Sequence, residues 1–286
     1  MDLARKRFSK WMAAWLGLCV LGQVWAGEVS RAGLVSDRDG RWLAPDIGRI
    51  VQRGALIVAV KRGDDAPFFY ADPRTGQPAG ISIQIAQELA RELKVKLIIK
   101  QTASTFNETV DLVTRGEADL GVSKLSRTLS RLQAVRFSEP YVEFNHALLL
   151  NRVKFAQLAR GEDASSVIRT FKAKMGVIGQ SAFADFASHH FPDAQLVTYP
   201  DWEALIKAVT RGEVVAAYRD QFEINRVLAQ HPSLVLSLRT VVFNDLKDAI
   251  AVAVGYNDAN LLALVNLYLS QNPQKQRIAT RFKSPP

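Results

Sequence analysis

Two short clusters in the 286-residue sequence hold side chains that could do chemistry together. In "SKLSRTLSR" the hydroxyls of Ser126 and Thr128 precede Arg131, and in "RDQFE" Asp220 stands three residues before Glu223. A guanidinium fork helped by hydroxyl donors suits a carboxylate, and a carboxylate suits an ammonium group. If the two clusters face each other, they can hold a zwitterion by both ends. Each residue also has a plainer reading. Arg131 can be a surface helix arginine, Asp220 the cap of the helix it opens, and Glu223 a solvated glutamate in that helix's first turn.

Other chemistries find no support in the residue types. The one cysteine, Cys19, lies in the first 26 residues, so 27–286 offers no thiol nucleophile, no disulfide and no cysteine metal ligand. The four histidines have no paired metal spacing, and His189 and His190 adjoin a helix end, so neither metal nor cofactor is expected. There is no nucleophile elbow and no phosphate loop. Of the net charge of +9, four bases and Asp2 in the first 26 residues supply +3, which leaves +6 for the rest. No basic run is dense enough for a nucleic-acid partner.

The elements that position the clusters are marked by a repeat. "VTRGE" occurs at 113–117 and again at 209–213, ninety-six positions later. Each copy closes an apolar-periodic stretch and precedes a strand-like run, so Gly116 and Gly212 read as left-handed helix stops. Around the first copy the patterns predict a helix with Ile47, Ile50 and Val51 on one face, a stop at Gly54 and a strand at 56–60. "DPRTGQPAG" reads as a turn between short extended pieces, and "ISIQIAQELARELKVKLIIK" as a helix running into a strand at 95–99. Around the second copy, strands are predicted at 174–178, 195–199 and 214–218, and helices at 182–189, 201–211 and from Asp220 to about 230. "AIAVAV" reads as a returning strand, with helices at 259–269 and 273–282. Two β-α-β-α-β cycles imply two α/β lobes with parallel sheets, and ligands gather at the carboxyl ends of such strands. A single larger doubly wound sheet satisfies the same pattern.

Ahead of these lies a positive start (Arg5, Lys6, Arg7, Lys10), an apolar run at 12–21 and a small-residue "VWA", the pattern of a cleaved export signal over 1–26. Residues 27–45 are polar without a clear period and read as a lead-in.

At these residues the chain resembles the periplasmic solute-binding proteins of ABC importers that bind polar amino acids, the family 3 type. The resemblance covers roughly 50–283 and rests on "GALIVAV", "APFFY" and "GISIQIA" in order, then Ser126, Thr128 and Arg131 followed by "FSEPY". It implies a two-lobed type II periplasmic binding fold with parallel-rich sheets flanked by helices and a two-segment hinge near 144–151 and 240–249. The first lobe would be 46–146 plus 246–286, and the second 147–245. It implies that Arg131, helped by Ser126 and Thr128, grips a ligand α-carboxylate and that Asp220 receives the α-ammonium. Ser181 falls where a Gly-Thr pair usually meets the carboxylate, with Gln180 in place of the Gly, and Phe68 borders the pocket. The implied protein is a periplasmic monomer that binds a small amino-acid-like molecule and hands it to an inner-membrane ABC permease.

Three positions depart from the pattern. Gln84 stands where an Asp is usual, Asp65 where an aromatic often covers the ligand, and Lys124 where a small residue is usual. Either Asp65 and Lys124 face the cleft and the ligand is unusually polar, or they pair and narrow the pocket. The resemblance also leaves an enzyme open. Periplasmic cyclohexadienyl (prephenate/arogenate) dehydratases share the fold and carry a glutamate three residues after the second-lobe Asp, as Glu223 does here. Such a glutamate acts as general acid and needs a raised pKa.

Overall fold

The computed structural model describes residues 33–37 and 39–271. The export signal expected at 1–26 and the helix expected at 273–282 lie outside the described residues.

The lead-in carries a short antiparallel pair, β1 (Val35–Ser36) and β2 (Trp42–Leu43). The first cycle then runs α1 (Pro45–Arg53), β3 (Ala55–Lys61), the hairpin β4 (Tyr70–Ala71) and β5 (Pro78–Ala79), α2 (Ile81–Glu92) and β6 (Lys96–Ala103). It continues through α3 (Phe106–Thr114), β7 (Leu120–Ser126), α4 (Leu129–Leu132) and β8 (Val135–Phe137). A long strand β9 (Val142–Asn151) leads into α5 (Arg152–Ala159) and α6 (Ala164–Arg169). The second cycle is β10 (Lys174–Ile178), α7 (Ala182–His190), β11 (Gln195–Tyr199), α8 (Trp202–Arg211), β12 (Ala216–Asp220) and α9 (Gln221–Gln230). The longest strand, β13 (Leu238–Gly255), returns the chain to α10 (Ala259–Gln271).

Two parallel trios, β6-β3-β7 and β11-β10-β12, form the frames of the two lobes. Each trio is bordered by an antiparallel strand, β13 against β7 and β9 against β12. Because β9 and β13 also pair with each other, the order β11-β10-β12-β9-β13-β7-β3-β6 is continuous. The segments read as linkers are thus parts of two long strands. Their register shifts between Val242 and Lys247, where the ladder leaves one lobe for the other. Helices cover both faces of each trio. Leu56, Val58, Leu89, Leu261 and Val265 pack on one face of the first, and Ala59, Val110 and Val113 on the other. In the second, Phe155, Phe171, Met175 and Phe191 pack on one face, and Leu205, Val209 and Ile224 on the other.

The duplicated phrase makes the same cap twice. Gly116 and Gly212 take φ +69° and +72°. Their N–H groups donate to Val113 O (2.9 Å) and Val209 O (3.1 Å). The next N–H groups, of Glu117 and Glu213, donate to Leu112 O (2.9 Å) and Ala208 O (3.0 Å). This closes the last turn of α3 and α8 and aims the chain into the buried strand that carries each cluster. The strand after the second copy begins at Ala216 rather than 214, because the cap uses 212–213 and pairing with β10 starts at Met175 opposite Ala216. Sequence patterning gave no sign of α5 and α6, whose buried residues are few.

A side chain in the left-handed region costs about 1 kcal/mol or more. Gly116→Ala and Gly212→Ala are each expected to lower Tm by roughly 2–4 °C in a chain of this size, and additively in the double variant because the caps are far apart. Unchanged melting in calorimetry of either variant would count against the cap.

Candidate ligand-binding cleft

The carboxyl ends of β7 and β12 face each other and supply most of the polar groups of one cleft. Lys124, Ser126 and Arg131 come from the first side, and Ser181, Arg219 and Asp220 from the second. They surround a space of about 290 Å³, counting its open mouth. Asp248, from β13, completes the floor.

On the first side, β7 bulges where residues 122–124 stand opposite Val252. Within that bulge Lys124 takes φ +49°, a conformation that a lysine adopts at a cost and that turns its side chain across the cleft. Thr128 caps α4 by accepting the Arg131 N–H at 3.2 Å, which fixes where Arg131 leaves the backbone. The Arg131 guanidinium is then clamped: Nε and NH2 donate to Asn107 Oδ1 at 3.1 and 2.9 Å, and NH1 to Ser126 O at 2.9 Å. Burial draws its pKa down, yet a guanidinium stays charged at any ordinary pH. The Ser126 hydroxyl donates to Asp248 Oδ2 at 3.1 Å.

On the second side, Ser181 precedes α7 and donates its hydroxyl to Ile178 O at 2.7 Å. Gln180, where a Gly was expected by resemblance, has φ +52°, the conformation a Gly would take freely. Asp220 is the cap of α9, its Oδ1 accepting the Glu223 N–H at 2.9 Å. Its other oxygen lies 3.5 Å from Lys124 Nζ and 3.5 Å from Arg219 Nε. Glu223 is buried, with Oε1 2.5 Å from Lys124 Nζ and Oε2 2.5 Å from Arg226 NH2. Burial alone would raise its pKa, but Lys124, Arg219 and Arg226 together outweigh burial and hold it at about 2.

Of the residues predicted for the site, Lys124, Ser126, Arg131, Ser181 and Asp220 share the cavity wall. Thr128 acts behind the wall as a cap. Phe68 lies under Lys124, whose ammonium is 5.2 Å from its ring centroid. Asp65 pairs with Arg226 at 3.3 Å rather than directly with Lys124. Further contacts cross the cleft: the Ser130 hydroxyl donates to Asp185 at 2.5 Å, and Arg226 NH1 donates to Ala66 O at 3.0 Å. The two sides therefore touch in this structure. Sequence reading missed Arg219, Asp248 and Asn107. Arg219 adjoins Asp220 and lies one residue past the end predicted for its strand; Asp248 sat in a segment read as linker.

Asp248 Oδ1 is buried without a hydrogen-bond partner. Burial, then the charge of Asp220, pushes this carboxyl up to about 7.

Comparison with known proteins agrees with the fold. A sequence model of bacterial extracellular solute-binding proteins, family 3, matches residues 56–283. The chain is similar to the cyclohexadienyl dehydratase of Pseudomonas aeruginosa, 25% identical over 190 residues, 66% of this chain and 67% of that one. It is 31% identical over 107 residues to the glutamine-binding protein of Geobacillus stearothermophilus, 36% of this chain and 40% of that one. It is 24% identical over 207 residues to membrane-bound lytic murein transglycosylase F of Vibrio vulnificus, and spans 38% of that protein's length. Among solved structures, the ancestral amino acid-binding protein AncCDT-1, a precursor of cyclohexadienyl dehydratase, superposes with TM-score 0.62 at 24% identity, covering 83% of this chain and 99% of that one. The amino acid ABC transporter substrate-binding protein AbpA of Streptococcus pneumoniae, bound to L-arginine, gives 0.61 at 24% identity, covering 80% and 93%. These structural likenesses establish the two-lobed fold.

The raised Asp248 sets a pH dependence. Between about pH 4, where an aspartate titrates in the unfolded chain, and about 7, the folded protein holds a proton that the unfolded chain releases. Stability therefore falls as pH rises through this window and levels off above it. Asp248→Asn is expected to remove that fall, so that the difference in Tm between variant and parent grows from pH 4 to 7 and then stays constant. Parallel melting profiles would contradict it.

Proposed function

Because the chain belongs to the bacterial extracellular solute-binding proteins of family 3, we propose that it is an exported, periplasmic, monomeric binding protein. It captures a small carboxylate-bearing solute of amino-acid size between its lobes and passes it to an inner-membrane ABC permease, with no covalent chemistry. One observation carries this reading: a single cavity is walled by Ser126 and Arg131 from one lobe and by Ser181 and Arg219 from the other. A ligand held there contacts both sides, so the closed arrangement binds it better than an open one and ligand shifts the population toward closure. In this reading the lobes divide at 146/147 and 245/246. The hinge is 144–151 with 240–249, the stretch that contains the β9–β13 register shift.

The likeness to cyclohexadienyl dehydratase raises an enzymatic alternative in which Glu223 donates a proton. The surroundings of Glu223 favour binding over catalysis. A general acid must be protonated at working pH, and both Glu223 oxygens are held by cations that keep the group ionised near neutrality.

A thermal-shift screen of the purified chain against amino acids, their deaminated counterparts and prephenate tests the reading. One small acid is expected to stabilise the protein, with no turnover of prephenate. Loss of a charge-assisted contact is worth about 1.5–3 kcal/mol, so Arg131→Ala should weaken that ligand about tenfold or more in titration calorimetry. Prephenate conversion, or undiminished binding by the variant, would overturn the proposal.

A further inference from the structure

This inference rests on the cleft being the ligand site, and concerns what the cleft accepts. Asp220 is the acid to which a ligand ammonium would go, and two of the chain's own cations already face it. One oxygen caps α9; the other faces the Lys124 ammonium and the Arg219 guanidinium, each at 3.5 Å. Lys124 Nζ also lies 5.2 Å from the ring centroids of Phe68 and Phe222 and 2.5 Å from Glu223 Oε1. Aromatic faces and carboxylates are the surroundings in which proteins hold an ammonium ligand. Here the chain's own lysine fills them. A ligand ammonium would have to compete with two cations for one carboxylate oxygen while shedding its own water.

The cationic capacity of the cleft, by contrast, is not used up. Arg131 makes three hydrogen bonds to the protein, leaving two of the five N–H groups of a guanidinium uncommitted. Arg219 lies on the same cavity wall, is 7% exposed, and its buried Nε has no hydrogen-bond partner. Apart from its contact with Asp220, its guanidinium packs over the rings of Phe183 and Trp202, centred 5.7 and 5.8 Å away. A buried donor without an acceptor is costly, and an anion in the cavity supplies the acceptor. Asp248, the other acid on the wall, is pushed up to about 7 and so adds little negative charge below neutrality.

We infer that the cleft selects a small diacid without an ammonium group, one carboxylate held by Arg131 and the other by Arg219. Lys124 is then a specificity residue: it neutralises the ammonium site from within and so rejects α-amino acids.

Matched pairs test this, since succinate and L-aspartate, or glutarate and L-glutamate, differ only by the ammonium group. In titration calorimetry of the parent chain near pH 6.5, at least one diacid is expected to bind tenfold or more tighter than its amino counterpart. Arg219→Gln should cost that diacid at least tenfold while leaving butyrate, which has one carboxylate, little changed. Lys124→Met, if it folds, should narrow or reverse the preference by freeing Asp220 and Glu223. An amino acid that binds as tightly as its matched diacid overturns the inference, and so does silence toward both diacids. The two levels of failure separate through Arg131→Ala. An amino acid bound tightly by the parent and lost in that variant leaves the cleft as the site and removes only the diacid selection, whereas binding indifferent to Arg131 removes the site itself.

Discussion

The ammonium group of Lys124 is the constraint around which the cleft is organised. It starts from the first lobe, on a backbone turned to φ +49° by the bulge in β7, and ends between Asp220 and Glu223 of the second. A non-glycine residue in that conformation costs roughly 1–3 kcal/mol, and it persists only where its surroundings compensate. Here the compensation is a charge cluster that no member can leave alone. Removing one partner of a buried ion pair leaves the other unpaired at a cost of about 3–5 kcal/mol. The cluster continues through Arg226 to Asp65 and the Ala66 carbonyl, so one chain of charges ties the two sides of the cleft.

Several features follow from this. Glu223 stays ionised because cations hold both oxygens, which sets its chemistry apart from that of a proton donor. Asp220 serves as helix cap and counter-ion at once, and in the proposed reading these two roles take the place of a third as ammonium receptor. On the cavity wall Asp220 is matched by Lys124 and Arg219, and Arg131 stands opposite Ser181. A pattern shared with amino-acid binders thus coexists with one unusual side chain that alters what the pattern can hold.

Much of the frame was legible because it is written locally. The repeated "VTRGE" specified two helix caps through glycine conformation alone, and Thr128 and Asp220 sat at positions where a cap is the expected role. Strands β10 and β11 matched their predicted bounds because turn residues flank them. The failures were of another kind. Residues 144–151 of β9 and 240–249 of β13 looked like linkers, since their pairing partners are distant in sequence: Leu238 pairs with Asn151 and Thr240 with Leu149. The destination of Lys124 depends on a bulge set by β13, and no spacing rule reports a register shift far along the chain. Arg219 fell one residue beyond the predicted end of its strand, whose pairing with β9 continues to Asp220. Both residues that decide the pocket's polarity therefore depended on tertiary pairing rather than on motif.

The most direct test of the central claim is nuclear magnetic resonance of the chain with lysine side-chain nitrogen labelled, assigning the Lys124 signal by its loss in Lys124→Met. Burial on its own lowers the pKa of this amine, and the carboxylates of Asp220, Glu223 and Asp65 outweigh burial and raise it. The account predicts an ammonium resonance protected from exchange with water that remains protonated at pH values where surface lysines have titrated. A Lys124 signal that exchanges rapidly and titrates with the surface lysines would contradict it.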